Sequence, residues 1–240
     1  MVYNAVDTIP DTLSSVRAQT YPDVEHIIVD GASTDGTLEL INQADHVTKL
    51  ISEPDNGLYH AMNKGIELAT GDVIGFLNAD DVFQDHNVLA RIAETLKDPD
   101  LEACYANLVY VKADDLSRVV RKWESKDHYA GLCWDGWMPA HPTLYLKRHV
   151  FDRVGGFNLG LKYQSDLEFC ARVFEHARVR SRFVPELWVR MRLGGVTNNS
   201  LLSIIKGNWE SYLALRELGC PRSPLSYFPI KFASRLRQYL

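Results

Sequence analysis

The sequence predicts an α/β fold in which a mostly parallel central sheet carries helices on both faces. Three observations predict it. Strand-like and helix-like segments alternate through the first hundred residues. The strand segments are short runs rich in β-branched residues, bounded by turn residues. Acidic residues stand at or just beyond their carboxyl ends. A β-α-β-α order of this kind argues for a parallel sheet that is covered on both sides.

The elements follow in order. Residues 1–3 are the one stretch able to supply a first strand, and Ile9, Leu13 and Val16 then mark an apolar-periodic helix. A domain of this class usually leads with a strand. The first strand is therefore expected to be very short, or the chain to lack its natural beginning. "HIIVD" (26–30) reads as a buried strand, "GASTDGT" as a turn with helix-capping residues, and "LELINQA" as a helix. "VTKLIS" (47–52) is a second strand, and "LYHAMNKGIELA" (58–69) has apolar residues at helical spacing. "VIGFL" is a third strand, closed by "NADD", and "NVLARIAETLK" (87–97) is helical.

The second half is less regular. "EACYANLVYVK" and "VVRKW" look like strands, and "LCWDGWMPAHPTLYLKR" is an aromatic, turn-rich connection into another. "SDLEFCARVFEH" (165–176) and residues 199–218 read as helices. In the last fourteen residues Phe228, Phe232, Leu236 and Tyr239 recur at helical spacing, with Lys231, Arg235 and Arg237 beside them. Two readings of that end stay open. It rests on an anionic membrane surface, or its aromatic residues pack on the domain or against a second copy as a homodimer.

Composition narrows the function. Apolar content of 46% and charged content of 24% are ordinary for a soluble globular protein. A net charge of -5 argues against a general nucleic-acid binder, which carries a basic excess. Cys104, Cys133, Cys170 and Cys220 show no metal-ligand spacing, and no signal-peptide pattern opens the sequence. Free thiols in a reducing cytoplasm are the expectation. No stretch approaches the roughly 18 apolar residues of a membrane span.

Sheets of this class bind ligands beyond the carboxyl ends of their strands. Asp30 ends one strand, Glu53 follows another, and Asp80 and Asp81 end a third, so acidic groups converge on that edge. Paired carboxylates suit a hard divalent cation that completes its shell with phosphate and water. A helix-cap turn explains Asp81 or Asp85 as well. His60, Asn63 and Lys64 fall at i, i+3 and i+4 on one helix face, and a solvated polar face accounts for them equally. Asp166 stands at a helix start, as a cap or as a general base.

"SVRAQTYPDVEHIIVDGASTDGT", "SEPDNGLYHAMNKGIELATGDVIGFLNADD" and "GGFNLGLKYQSDLEFCARV" together resemble the family 2 glycosyltransferases of the GT-A fold. The branch most resembled builds bacterial surface polysaccharides of the colanic-acid and capsule type. The resemblance spans about residues 1–200, and leaves 201–240 as a C-terminal helical extension. It implies a Rossmann-like sheet with a small acceptor-side subregion. It also implies inverting transfer from a nucleotide-diphosphate donor, most often a UDP-sugar, with Mg²⁺ or Mn²⁺ as cofactor. The acceptor it implies is a glycan or lipid-linked hydroxyl at the cytoplasmic face of the inner membrane.

Position by position, Asp81 matches the metal ligand, and Asp80 a ligand of the ribose or the metal. Asp30 matches the first acidic residue of the pair near the nucleoside, whose second member is Gly31 here. Tyr3 and Asn4 match the end of the first strand, in the nucleoside pocket. Asp166 matches the catalytic base, with Ser165 where an acidic neighbour is usual. His60, Asn63 and Lys64 belong to the donor-side block. His141 falls at a polar acceptor-side position, and "GGVTN" (194–198) near the diphosphate. Two other readings are a nucleotidyltransferase and a non-catalytic nucleotide-sugar binding module. The first would ordinarily carry a glycine-rich basic loop after its first strand, and none is visible.

Overall fold

The computed structural model describes residues 1–194 and 201–236, with side chains through 194 and from 206 to 232. The amino-terminal part follows the expected alternation. Helix α1 (Ile9–Arg17) buries Ile9, Leu13 and Val16. Strands β1 (His26–Asp30) and β2 (Val47–Ser52) pair in parallel around α2 (Thr37–Asn42). Val2 supplies a first strand reduced to one bridge. Its N–H donates to Val29 O at 2.9 Å, and its carbonyl accepts the Gly31 N–H at 2.9 Å.

After α3 (Leu58–Leu68) come β3 (Val73–Ile74), β4 (Val82–Phe83) and α4 (Val88–Leu96). Strands β5 (Ala103–Lys112) and β6 (Asp115–Trp123) form a hairpin. Then β7 (Tyr145–Lys147) leads directly into α5 (Arg148–Val154). Helix α6 (Ser165–Ala171) runs into a π-helical turn, Arg172–His176, and β8 (Ser181–Arg192) follows. Helices α7 (Leu201–Glu217) and α8 (Pro224–Leu236) complete the chain.

The larger sheet is ordered β3-β7-β5-β8-β4, with β6 also on β5. The parallel pairing foreseen for most of the sheet is carried by β1–β2 and β5–β8, while β3–β7, β4–β8, β5–β7 and β5–β6 pair antiparallel. β5 is the spine, buried from Ala103 to Val111. Its side chains alternate between two cores, as a strand with both faces covered requires. Ala103 and Tyr105 join Phe151 of α5, Leu167 and Phe169 of α6, Leu215 of α7 and Tyr227 of α8. Cys104, Ala106 and Leu108 face Val88, Ile92 and Leu96 of α4 on the other side.

Nothing in the residue pattern announced β8. Pro185 and the charges of Arg182, Glu186 and Arg190 mask its apolar alternation. The β5–β8 register shifts between Tyr105 and Leu108, opposite the stretch that holds Pro185, so the residue with no N–H falls where the ladder is broken. The third strand is shorter than "VIGFL" promised. It ends at Ile74, and at Gly75 the Tyr145 ring lies where a side chain would stand.

The two C-terminal helices share the domain's core rather than standing apart from it. Tyr212, Leu215 and Tyr227 lie in the same cluster as Leu167 and Phe169. Phe228 stacks on Trp209 at 5.8 Å, while Phe232 is 66% exposed. Lys231 corrects the expectation of a basic outer face, because its side chain is buried. The four cysteines are free and buried, and among the described residues no helix is long and apolar enough to cross a membrane.

Gly75 gives the test of this packing. A Cβ there would lie 2.2 Å from Tyr145 Cε1, inside a buried layer. Gly75→Ala should lower stability by about 1–3 kcal/mol, the range for overpacking a core, read as a reduced urea midpoint with an unchanged slope.

Candidate active site

The corner between β3 and β4 carries Asn78, Asp80 and Asp81. Asp81 is fully buried. Its Oδ2 accepts from Asn78 Nδ2 at 2.9 Å and its Oδ1 from the Arg192 N–H at 3.3 Å. The main chain is stapled from two sides. The Thr12 hydroxyl of α1 donates to Asp81 O at 2.8 Å, and Arg192 Nη1, at the end of β8, donates to Asp80 O at 2.9 Å. Arg192 is held in turn by Asp11. Asp81 caps no helix. The turn before α4 is made by Asp85, which accepts the Asn87 N–H at 2.8 Å and pairs with Arg91.

Burial, and then the charge of Asp80, push Asp81 well above the ordinary carboxylate range. Asp80 is half-buried and is raised by burial, with Arg192 opposing. The donor atoms that Asp80 and Asp81 offer are hard carboxylate oxygens, and the charge of one disfavours ionisation of the other. That is a setting a divalent cation fits.

Helix α3 borders the loop after β2. Lys64 Nζ reaches Glu53 at 2.7 Å and Asp55 at 2.6 Å, and these two partners raise its pKa. His60 Nδ1 lies 3.3 Å from Asp55 and accepts the Asn56 N–H. Asn63 turns the other way. Its Nδ2 donates to Phe157 O at 2.9 Å and its Oδ1 accepts the Phe157 N–H at 2.7 Å. Asn63 is therefore a clamp on the segment before α6, not a member of the His60–Lys64 face, and a Cβ on Gly156 would meet its Oδ1 at 2.4 Å.

At the end of β1 Asp30 is fully buried. It accepts from Ser33 N at 3.0 Å, the Ser33 hydroxyl at 2.5 Å and the Ser52 hydroxyl at 2.6 Å. Asn4, at φ 47°, ties the same turn by donating its N–H to Ser33 Oγ and accepting the Thr34 N–H. Tyr3 beside it is exposed.

Asp166 sits in the first turn of α6, behind the N-cap Gln164. Its Oδ1 accepts the Leu167 N–H at 2.9 Å and the Tyr59 hydroxyl at 3.3 Å. Burial raises its pKa, and the Lys231 charge works against that rise. Tyr59 is raised too, by burial first and then by the Asp166 charge. Its ring stacks on Phe157 at 5.6 Å. The approach to α6 is gathered by Glu210 of α7, whose carboxylate accepts the N–H groups of Lys162, Tyr163 and Gln164 at 2.8, 2.7 and 3.1 Å.

His141 stacks on Phe76 at 5.5 Å and meets Phe157 edge-on. Burial lowers it to about 4, and neither ring nitrogen has a partner among the described residues. Of "GGVTN", residues 195–198 lie outside the described residues. Elsewhere, His128, Cys133 and Glu175 bring potential metal ligands within 4.8 Å. There Glu175 already accepts the N–H groups of Gly131 and Cys133, which ties residues 128–133 to the π-helical turn.

Tyr59 and His60 are consecutive. One reaches Asp166 and the other reaches Asp55, so the start of α3 joins the loop after β2 to the α6 carboxylate. The sequence profile of glycosyl transferase family 2 matches residues 1–163, from the first strand to just short of Asp166. This chain belongs to glycosyl transferase family 2. It is a glycosyltransferase, and its fold is GT-A.

The relatives agree. A "PGL/p-HBAD biosynthesis glycosyltransferase" of Mycobacterium bovis (strain BCG / Pasteur 1173P2) is 30% identical over 208 residues, covering 81% of this chain and 76% of its own. An uncharacterized glycosyltransferase of Mycobacterium tuberculosis is 30% identical over 174 residues, covering 71% and 65%. Among solved structures, S. aureus TarS 1–349 in complex with UDP-GlcNAc superposes with a TM-score of 0.73 at 18% identity, covering 99% of this chain and 70% of that one. A longer TarS chain is spanned over only 42% of its length. The mannosyltransferase PcManGT of Pyrobaculum calidifontis, in complex with GDP-Man and Mn²⁺, gives 0.66 at 21% identity, covering 97% and 66%.

The raised carboxyl of this glycosyltransferase's corner sets a pH dependence. With its native pKa above the unfolded value, Asp81 keeps a proton in the fold that the unfolded chain has lost. Its contribution is complete below the unfolded pKa and erodes as pH rises toward the folded one. Metal-free protein should lose thermal stability as pH is raised from about 5 to about 8, and Asp81→Asn should flatten that fall.

Proposed function

We propose that this glycosyltransferase is inverting and metal-dependent. It moves a sugar from a nucleotide-diphosphate donor, UDP-linked in the first instance, to a hydroxyl of a growing surface polysaccharide or lipid-linked acceptor. The observation that carries the reading is the buried Asp81 beside Asp80, a carboxylate pair suited to a cation, in a chain whose Asp166, held by the Tyr59 hydroxyl, is suited to be a base.

Asp80, part-exposed, and Asp81, buried beneath it, would hold Mg²⁺ or Mn²⁺, and the ion when bound offsets charge on the donor's diphosphate. Asp30, Asn4 and Tyr3 form the nucleoside end, and Asp30 acts there through the Ser33 turn that it holds. His60 and Lys64 keep the Glu53–Asp55 segment in place against the corner. His141 backs the acceptor side through its stack on Phe76.

In the reaction an acceptor hydroxyl oxygen bonds to the anomeric carbon as the bond from that carbon to the β-phosphate oxygen breaks. Asp166 takes the hydroxyl proton, and the nucleoside diphosphate leaves with the electron pair. The Tyr59 hydroxyl, donating to Oδ1, fixes which carboxylate oxygen stays free to accept the proton.

Two findings support the substrate class. One structure of the same fold holds UDP-GlcNAc and another holds GDP-Man and Mn²⁺, and a relative is named a PGL/p-HBAD biosynthesis glycosyltransferase. A lipid-linked acceptor also gives a use, at the membrane surface, to Leu213 of α7 and to Leu225 and Phe232 of α8, each of which is exposed. Vesicle flotation reads this directly. Binding to anionic liposomes should fall in Leu225→Ser/Phe232→Ser, and equal flotation would remove the membrane role.

Nucleoside diphosphate release from a panel of nucleotide sugars, with and without chelator, tests the chemistry. Turnover should need Mg²⁺ or Mn²⁺ and should be lost in Asp80→Ala and Asp81→Ala. Asp166→Asn should lower kcat by about 10²–10⁴, the scale of a removed general base. Metal-independent turnover would overturn the corner's role, and an active Asp166→Asn would overturn the base.

A further inference from the structure

We infer that Lys231, on α8, is a positioning residue for Asp166: its ammonium is the counter-charge of the base and, through Gln164, the tie that sets the helix turn carrying it. The inference rests on the reading of Asp166 as the base.

Lysine is among the residues least often buried, because removing an ammonium from water is expensive unless charge and hydrogen bonds replace the solvent. Here Lys231 is only 7% exposed. Among the described residues its Nζ donates to Ser211 Oγ at 2.7 Å, to Tyr227 OH at 3.2 Å and to Gln164 Oε1 at 3.4 Å. Those oxygens come from α7, α8 and the N-cap of α6. The stem is accommodated as well. Gly136, at φ +76°, lies over it so closely that a Cβ would stand 3.0 Å from Lys231 Cδ and 3.1 Å from Tyr227 OH.

Gln164 stands two residues before Asp166, so the tie acts on the turn that presents the carboxylate. Among the described residues, charged and titratable groups lie around that carboxylate on three neighbouring helices. Tyr59 comes from α3, Glu210 from α7 with its oxygens turned to the Lys162–Gln164 N–H groups, and Lys231 from α8. Cys170 and the Glu168–Arg172 ion pair belong to α6 itself. Burial works against an ionised Asp166, and the Lys231 charge opposes burial. A base in a water-poor cleft has to be ionised before the acceptor arrives, and a fixed cation behind it provides for that. Lys231 touches no reacting atom. It acts through Asp166 and Gln164.

The experiment follows the Asp166 carboxyl carbon by ¹³C NMR titration in the full chain, with the signal assigned by its loss in Asp166→Asn. It is paired with kcat/KM pH profiles. Lys231→Met should raise the Asp166 midpoint by about one unit or more and shift the acid limb of kcat/KM by the same amount. Lys231→Arg, which keeps the charge, should restore both. A folded Lys231→Met with an unmoved midpoint overturns the inference. Should that variant not fold, Lys231→Gln, which keeps donors for Ser211 and Tyr227 without the charge, decides by the same midpoint. Turnover retained in Asp166→Asn would refute the base instead, and the NMR midpoint still judges Lys231 on its own.

Discussion

Two neighbouring carboxylates, Asp81 buried and Asp80 half-buried, are the constraint on which the rest of this structure depends. Burial and the charge of Asp80 already raise Asp81, and the turn that carries the pair has to be fixed. The fixing comes from far along the chain, with Thr12 of α1 on one side and the backbone and guanidinium of Arg192 on the other. Such a corner stores unfavourable electrostatic energy in the free protein, which is released when opposite charge arrives. The sheet serves it directly. β4, only two residues long, pairs with β8 and thereby brings Arg192 under the turn.

The second carboxylate is built differently. Asp166 depends on helix packing rather than on a strand end. Asn63 clamps Phe157, Glu210 gathers the backbone of residues 162–164, and Tyr59 contacts the carboxylate itself. Helices α7 and α8 lie beyond the segment matched by the family profile, yet they provide the back wall of this half.

Much of the first half was legible because local signals agreed with the fold. The β-branched runs at 26–30 and 47–52 and the helical spacing at 58–69 became β1, β2 and α3. β8 was hidden because proline and alternating charge obscure a strand whose partner, β5, supplies most of the burial. Tyr59 stood inside a recognised block but offered no signal, since a tyrosine at a helix start reads as core until its hydroxyl finds a carboxylate. Asn63 shared helical spacing with His60 and Lys64, but a periodicity of 3.6 cannot show that a neighbouring loop has claimed one of the three. Lys231 looked like surface charge for the same reason. Its burial is decided by α6 and α7, which are distant in the chain.

The adjacency of Tyr59 and His60 has an evolutionary corollary. One helical turn touches both the Asp55 loop and Asp166, so on the proposed reading a substitution there that adapts the donor side displaces the acceptor side as well. On that reading drift toward a new sugar nucleotide is easiest from the Ser33 turn, which is held by Asp30 and Asn4 and not by the Tyr59–His60 turn.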